Sequence, residues 1–441
     1  MLAARPFGST RPDRILKMAR SVLLIAYHFP PAVGSSGLQR TLRFAQYLPL
    51  FGWQPVVLTV QPTAHEVTDP RSLADVPAGC EVVRTPCLDA GRHLSIGGRY
   101  PRIAALPDRW ASWSLLGLRP AIRLVRSRRI SAVWSTYPIA TAHRLAASVA
   151  RRTAVPWVAD FRDPMAQEGY PEDPRRWKAF KGIEEDAVSS AARLVFVAPS
   201  AQRMYRARYP EVDPERFVLI ENGYDESAFA GIDAPSPAQG RHPGTPVILH
   251  SGIVYPSERD PRALFTALGM LSREKRIRPG DFVLRFRAPV HDELLRGLGS
   301  AHGVTQYLEI LPPLPYRDAL AEMAQADALL VLQGANCNEQ IPAKAYEYLR
   351  TGKPVLGLAD PNGDTGRLLA AMDVPLVTPL ESEAGIAQTL PEFLSRLREG
   401  RWPHPQRSKV EHFSRKALTA RLAELFDTVT DEHRSAAVDG R

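Results

Sequence analysis

Twice along this chain, short runs of uninterrupted apolar residues alternate with segments of helical periodicity, and a stretch without periodicity separates the two series. The first series begins at Ser21–Tyr27 (SVLLIAY) and continues through Pro55–Val60, Ala132–Ser135, Pro156–Phe161, Leu194–Ala198 and Phe217–Ile220. The second runs through Val247–His250, Phe282–Arg287, Tyr307–Ile310, Ala328–Leu332 and Pro354–Leu358. Strands that are apolar throughout are covered on both faces. Their alternation with helices, such as the apolar stripe of Leu38, Leu42, Ala45, Tyr47 and Leu48, implies a parallel, doubly wound sheet. The Gly-, Pro- and Ala-rich segment 231–246 reads as a domain boundary. The expected fold class is therefore α/β, with two tandem doubly wound Rossmann-like domains at 19–230 and 247–412. Ser414–Val429 reads as an amphipathic helix within a terminal segment, 413–441. Ligands of such sheets bind where strand ends meet helix N-termini, so two of them facing each other make a cleft.

A chain of 441 residues with 44% hydrophobic content is long enough for two such cores. Three cysteines, Cys80, Cys87 and Cys337, form no close pair, which points to a reducing, cytoplasmic setting. No run of ~18 apolar residues is present to span a membrane. Residues 1–18 read as a loosely held tail, because the basic start leads into a strand pattern and not a cleavage site. A formal charge of +9 permits anionic partners without choosing among them. The basic residues are scattered, so no nucleic acid is expected.

Charged and glycine-rich motifs follow the strands. In Phe29–Arg40 (FPPAVGSSGLQR), Gly34 and Gly37 permit close backbone approach, Ser35 and Ser36 offer hydroxyls, and the following helix turns its positive end to the loop. A plain helix-capping turn fits the same residues. In Glu339–Pro354 (EQIPAKAYEYLRTGKP), the segment after Pro342 is helical in pattern and stops at Gly352, with a start as early as about Gln340, so Glu339 sits at or before the helix N-terminus and Glu347 stands about two turns on. Two carboxylates so placed can grip sugar hydroxyls; a helix-dipole glutamate and a solvated one are the alternative. After the first strand of the second domain, Gly252 and Arg259 lie in LHSGIVYPSERDP, where Arg259 suits either a phosphate or a salt bridge to Glu258 or Asp260. Lys344 is a further cation, read as a solvated helix residue. In Trp157–Pro164 (WVADFRDP), Asp160, Arg162 and Asp163 crowd a strand end, as cleft residues or as a structural ion pair. His28 and His250 read as packing or turn residues. In Arg99–Arg129, arginines interleave with Trp110, Trp113, Leu115 and Leu116; this suits an ordinary amphipathic helix or one lying on an anionic membrane.

The glutamate-pair segment, the glycine loop and Ile220–Phe229 (IENGYDESAF) together resemble the retaining nucleotide-sugar glycosyltransferases of the family 4 group, from about Ser21 to the final helix. The resemblance implies a GT-B fold, with the last helix crossing back to the first domain. It implies that Glu347 binds the donor ribose, that Glu339 binds the donor sugar, and that Gly34–Gly37 approaches the diphosphate or acceptor. The nucleotide base is expected near Leu311–Leu314. The family's usual Arg after the glycine is Ile253 here, its usual Lys is Arg259, and its His-Asp pair is Arg162-Asp163.

The expected activity is transfer of a sugar from a nucleoside-diphosphate donor to an acceptor hydroxyl, with retention, in cell-surface glycan or glycolipid synthesis. Arg259, Glu339 and Asp163 are the expected catalytic residues. Gly34, Ser35, Ser36, Gly37, Gly252, Arg259, Leu311, Glu339, Lys344 and Glu347 form the donor side; Asp160, Arg162 and Asp163 form the acceptor side. The acceptor is a glycan, lipid-linked or small molecule, with peripheral contact to the inner membrane face as an option. No cofactor or metal is expected, because no Asp-x-Asp triplet is present. Rivals are a nucleotide-sugar epimerase or phosphorylase on the same plan, or a binding protein whose transferase site has decayed.

Overall fold

The computed structural model describes residues 20–33, 36–95, 97, 100, 102–232, 244–403 and 406–439. Gly34 and Ser35 lie outside the described residues. Two parallel sheets organise the chain. The first holds β1 (Arg20–Ile25), β2 (Trp53–Val60), β3 (Glu81–Thr85), β4 (Ile130–Thr136), β5 (Trp157–Arg162), β6 (Arg193–Phe196) and β7 (Phe217–Leu219) in the order β3-β2-β1-β4-β5-β6-β7. The second holds β8 (Val247–Ser251), β9 (Val283–Arg287), β10 (Leu308–Leu311), β11 (Ala328–Leu332), β12 (Val355–Leu358) and β13 (Val377–Thr378) in the order β10-β9-β8-β11-β12-β13. In each sheet the first strand sits near the middle and the chain winds outward both ways. That is the doubly wound arrangement, with a topological switch point beside β1 and beside β8.

The strands are apolar because both faces are covered. Leu23, Ile25, Val133, Trp157 and Ala159 face one layer of helices, while Val22, Leu24, Ala132, Trp134 and Val158 face the other. This inside-out alternation with no polar face leaves nowhere for a solvated side, which is why sequence periodicity within each strand vanishes.

The long helix Arg415–Asp439 closes the molecule. Leu418, Leu422, Phe426 and Val429 are buried in the first domain's second layer, beside Leu38, Leu42 and Trp53. At roughly 1.5–3 kcal/mol for each large apolar side chain buried, this contact alone ties the end of the chain firmly to its beginning. Arg20 adds an ion pair to Asp427 at 3.1 Å. The crossing point is the turn after β7. Tyr224 N–H donates to the Phe413 carbonyl at 3.1 Å, and Arg415 N–H donates to the Tyr224 carbonyl at 2.7 Å. Gly223 is required there: a Cβ would overlap the Phe413 carbonyl. The Asn-Gly-Tyr-Asp turn is thus where two chain segments cross, a reason the sequence pattern alone does not reveal. Among the described residues, no helix is long and apolar enough to cross a membrane.

Candidate active site

The carboxyl ends of the two sheets face each other across a cavity of about 770 Å³. That volume lies within the range of small-molecule sites. The first domain contributes Pro138, Arg162, Asp163, Tyr170, Val197 and Asn222; the second contributes His250–Ile253, Arg259, Gln333, Gln340–Ala345 and Tyr348, among others. Both walls come from loops that directly follow β4, β5, β6, β8 and β11, as the doubly wound topology dictates.

Arg259 is a partly buried cation in this wall. Its Nη1 donates to the Ile253 carbonyl at 3.0 Å, and the guanidinium lies 5.4 Å from the Tyr255 ring centroid. Its Nε is buried without a hydrogen-bond partner. The salt bridge to Glu258 or Asp260 does not form; Asp260 pairs with Arg262 instead. Gly252, with φ of +142°, makes the sharp turn between β8 and this loop, a conformation open to glycine. Ile253 thus contributes its carbonyl to orient the Arg259 guanidinium.

The helix carrying the glutamate pair spans Ala343–Thr351, with Pro342 before it and Gly352, at φ +68°, ending it. It starts later than Gln340, because Pro342 holds extended backbone at the cap. Glu347 is buried, not solvated. One oxygen accepts from the Tyr316 hydroxyl at 2.9 Å, and the other pairs with Lys344 at 2.9 Å. Burial and the Glu347 charge push the Tyr316 hydroxyl well above its usual range. Lys344 lines the cavity as the partner of Glu347, which corrects its reading as a solvated helix residue. Glu339 lies in the turn before the helix, partly buried, beside the cavity-lining Gln340 but not itself in the wall. Leu311 ends β10, where its carbonyl accepts from Ala288 at 2.9 Å; it does not line the cavity.

On the first-domain side, a register shift between Asp160 and Arg162 in the β5–β6 pairing rotates the strand end. Arg162 takes φ of +55° and enters the cavity wall, where its Nη1 donates to the Tyr137 carbonyl at 3.2 Å. Asp163 joins the same wall, and burial pushes its carboxyl above the usual range, with the Asp160 charge adding and Arg162 opposing. Asp160 points the other way. It is fully buried and receives two hydrogen bonds from Arg40, at 2.8 and 3.0 Å. Its assignment to the acceptor side is therefore corrected: the Arg40 guanidinium and the Thr136 hydroxyl take up its carboxylate inside the first domain, and it does not line the cavity. Arg40 also donates to the carbonyls of Ile220 and Glu221, at 2.9 and 2.8 Å, tying the first helix to the Asn-Gly-Tyr-Asp turn.

Two further groups emerge only in three dimensions. His28 lines a small recess with Gly37, Thr136, Tyr137 and Arg162, so it is a cleft residue and not merely a turn. Burial pulls its imidazole down to about 4, helped by neighbouring His65 and Arg162, so it is neutral near pH 7. His250, also held near 4 by burial, lines the cavity; its Nδ1–H donates to the Leu330 carbonyl at 3.0 Å, and its Nε2 is buried without a hydrogen-bond partner. Ser36 begins the first helix, Ser36–Tyr47, and Gly37 in its first turn touches the recess. Trp113 is buried with its indole N–H on Thr85 at 2.9 Å, and Trp110 packs on Tyr27. The tryptophans thus face inward, as helix-to-sheet packing demands. Leu115 and Leu116 remain exposed, and Arg128 is engaged by Glu81 at 2.8 Å.

Comparison with known proteins gives a partial match in sequence and a complete one in fold. Residues 37–223 match the Glycosyl transferase 4-like domain. No curated protein matches the sequence significantly. Sucrose-phosphate synthase from Thermosynechococcus elongatus superposes with a TM-score of 0.64 at 15% identity, over 94% of this chain and 100% of that one. A glycosyltransferase from Rickettsia africae gives 0.61 at 13%, over 93% and 98%. HepE of Anabaena, solved with UDP, gives 0.59 at 13%, over 95% and 100%. The chain therefore has the GT-B fold, and residues 37–223 of its first domain are similar to the Glycosyl transferase 4-like domain.

Proposed function

We propose that this protein is a retaining glycosyltransferase that moves a hexose-type sugar from a nucleoside diphosphate to an acceptor hydroxyl. The observation that carries the reading is Arg259: a guanidinium with no carboxylate partner, its Nε unsatisfied, in the wall of a cleft between two Rossmann-like domains. A departing nucleoside diphosphate gains about one negative charge, and a fixed fork of donors stabilises it without reorganisation. In this reading the anomeric carbon–oxygen bond to the diphosphate breaks as the acceptor oxygen bonds to the same face. The acceptor proton passes to a donor phosphate oxygen. Glu347 holds the ribose and Glu339 the transferred sugar. Asp163, Arg162 and the neutral His28 stand on the acceptor side. The reaction needs no metal, because Arg259 supplies the charge.

The setting that fits is cytoplasmic glycan or glycolipid synthesis. Exposed Leu115 and Leu116 next to exposed Arg119 and Arg123 support peripheral contact with anionic membrane. Leu115→Gln with Leu116→Gln is then expected to lower binding to anionic vesicles, and equal binding by the parent and the variant removes that contact from the reading.

The function itself is tested by thermal shift over a panel of nucleotide sugars, beginning with UDP-sugars since a similar fold was solved with UDP, followed by transfer to hydroxyl acceptors in excess EDTA. Transfer with the α- or β-configuration of the donor retained is the expected result. Turnover without any acceptor identifies an epimerase instead, and activity abolished by EDTA and restored by manganese overturns the charge assignment.

A further inference from the structure

The two domains are joined at a second place, away from the crossing turn. Ser200 lies in the first turn of the helix Pro199–Arg208, just past β6 and the cavity-lining Val197. Its backbone N–H and its hydroxyl each donate to the carboxylate of Asp364, both at 2.8 Å. Asp364 belongs to the second domain, where it opens the helix Asp364–Ala371 after β12. It is 2% exposed. A carboxylate at a helix N-terminus satisfies an orphan donor and meets the positive end of the helix dipole. Here the helix and its capping residue belong to different domains.

The same residue also touches the candidate site through its backbone. Asp364 N–H donates to the Asn338 carbonyl at 2.9 Å, and the next side chain, Thr365 Oγ1, donates to the Gln340 carbonyl at 2.9 Å. Asn338 in turn donates to the Asp360 carboxylate. These bonds bracket Glu339 on both sides. Gly363 and Gly366 let the segment pass this close: a Cβ on Gly363 would meet the Asn338 side chain at 2.6 Å. One residue thus grips the first domain with its carboxylate and the Glu339 turn with its amide.

We infer that Asp364 is a positioning residue: it latches the first domain onto the second and, in the latched state, fixes the turn that holds Glu339 next to the cavity-lining Gln340. The inference rests on the glycosyltransferase reading for its catalytic consequence, but not for the latch. Domain closure that completes a site and excludes water is the general use of such contacts.

The test compares Ser200→Ala, Ser200→Pro, Asp364→Ala, the double Ala variant and Ser200→Thr in the full chain. Small-angle scattering without ligand reads the latch: Ser200→Ala, Ser200→Pro and Asp364→Ala are expected to widen the molecule, and Ser200→Thr, which keeps the hydroxyl, to match the parent. With UDP-glucose as the probe donor, both Ala variants are expected to lose roughly tenfold in kcat with a smaller change in KM. The double variant should lose no more than the worse single one, because the two groups share one contact. Ser200→Pro removes both the hydroxyl and the N–H in the first helical turn, where proline is tolerated, and leaves the second domain's own packing alone, so it decides the matter if Asp364→Ala fails to fold. Unchanged scattering and kcat in Ser200→Pro overturns the latch. A parent that turns over no nucleotide sugar defeats the function and leaves the scattering result to decide the latch.

Discussion

Arg40 and Arg259 stand at matching places in the two domains, each in the segment that follows the central strand, β1 or β8, yet the protein treats them in opposite ways. Arg40 is 1% exposed, and its charge is consumed internally by Asp160 and two carbonyls. Arg259 has a carbonyl and an aromatic ring for company and no carboxylate. A buried charge is tolerated only when paired and hydrogen-bonded. The first-domain arginine is therefore part of the scaffold, and the second-domain arginine is left with bonding capacity for something that arrives in the cleft. The difference teaches that motif position alone does not assign a cation its role; the location of its counter-charge does.

The largest effect should come from breaking the internal pair. Arg40→Ala strands the Asp160 carboxylate and is expected to cost about 3–5 kcal/mol of stability. Urea unfolding checks this, and a change below about 1 kcal/mol would mean that the pair is not the scaffold it is taken for. Replacing both partners by apolar residues of similar volume should cost much less, since no charge is stranded.

Arg259→Ala is expected to act on the opposite quantity. Turnover should drop by ~100-fold or more, the scale of losing one preorganised charge stabiliser, while urea unfolding stays within about 0.5 kcal/mol of the parent. Arg259→Lys should keep part of the activity, because it keeps the charge and loses only the fork. If Arg259→Ala unfolds as readily as Arg40→Ala, the contrast between the two arginines collapses.

Glu347 sharpens the comparison with a smaller effect. Its carboxylate is already occupied by Tyr316 and Lys344, so it sits between the two cases, partly structural and partly available. Glu347→Ala should weaken UDP binding by about 1–3 kcal/mol if the carboxylate bonds the ribose. Isothermal titration with equal affinity in parent and variant would place Glu347 wholly on the structural side, with Arg40.

The sequence by itself determined the architecture. Buried parallel strands must be apolar on both faces, and that pattern, repeated on either side of 231–246, was enough to expect two doubly wound domains with a cleft between their strand ends. It also placed Gly252, Arg259 and the glutamate-pair helix after strand ends of the second domain, where the folded structure puts the cavity. What it left open was decided by tertiary structure. Asp160 and Asp163 look alike three residues apart, but the pleat and the register shift in β5 send one into the core and the other to the cavity. Gly223 reads as a turn glycine until the Phe413 carbonyl crosses it. His28 reads as an ordinary strand-end residue until Arg162 and Gly37 enclose it. The Ser200–Asp364 contact joins residues of different domains, with no local signal in either segment. Local patterns record which side chains must be buried, a property each segment carries alone. Which charge meets which counter-charge depends on segments far apart in the chain, and only the folded backbone brings those together.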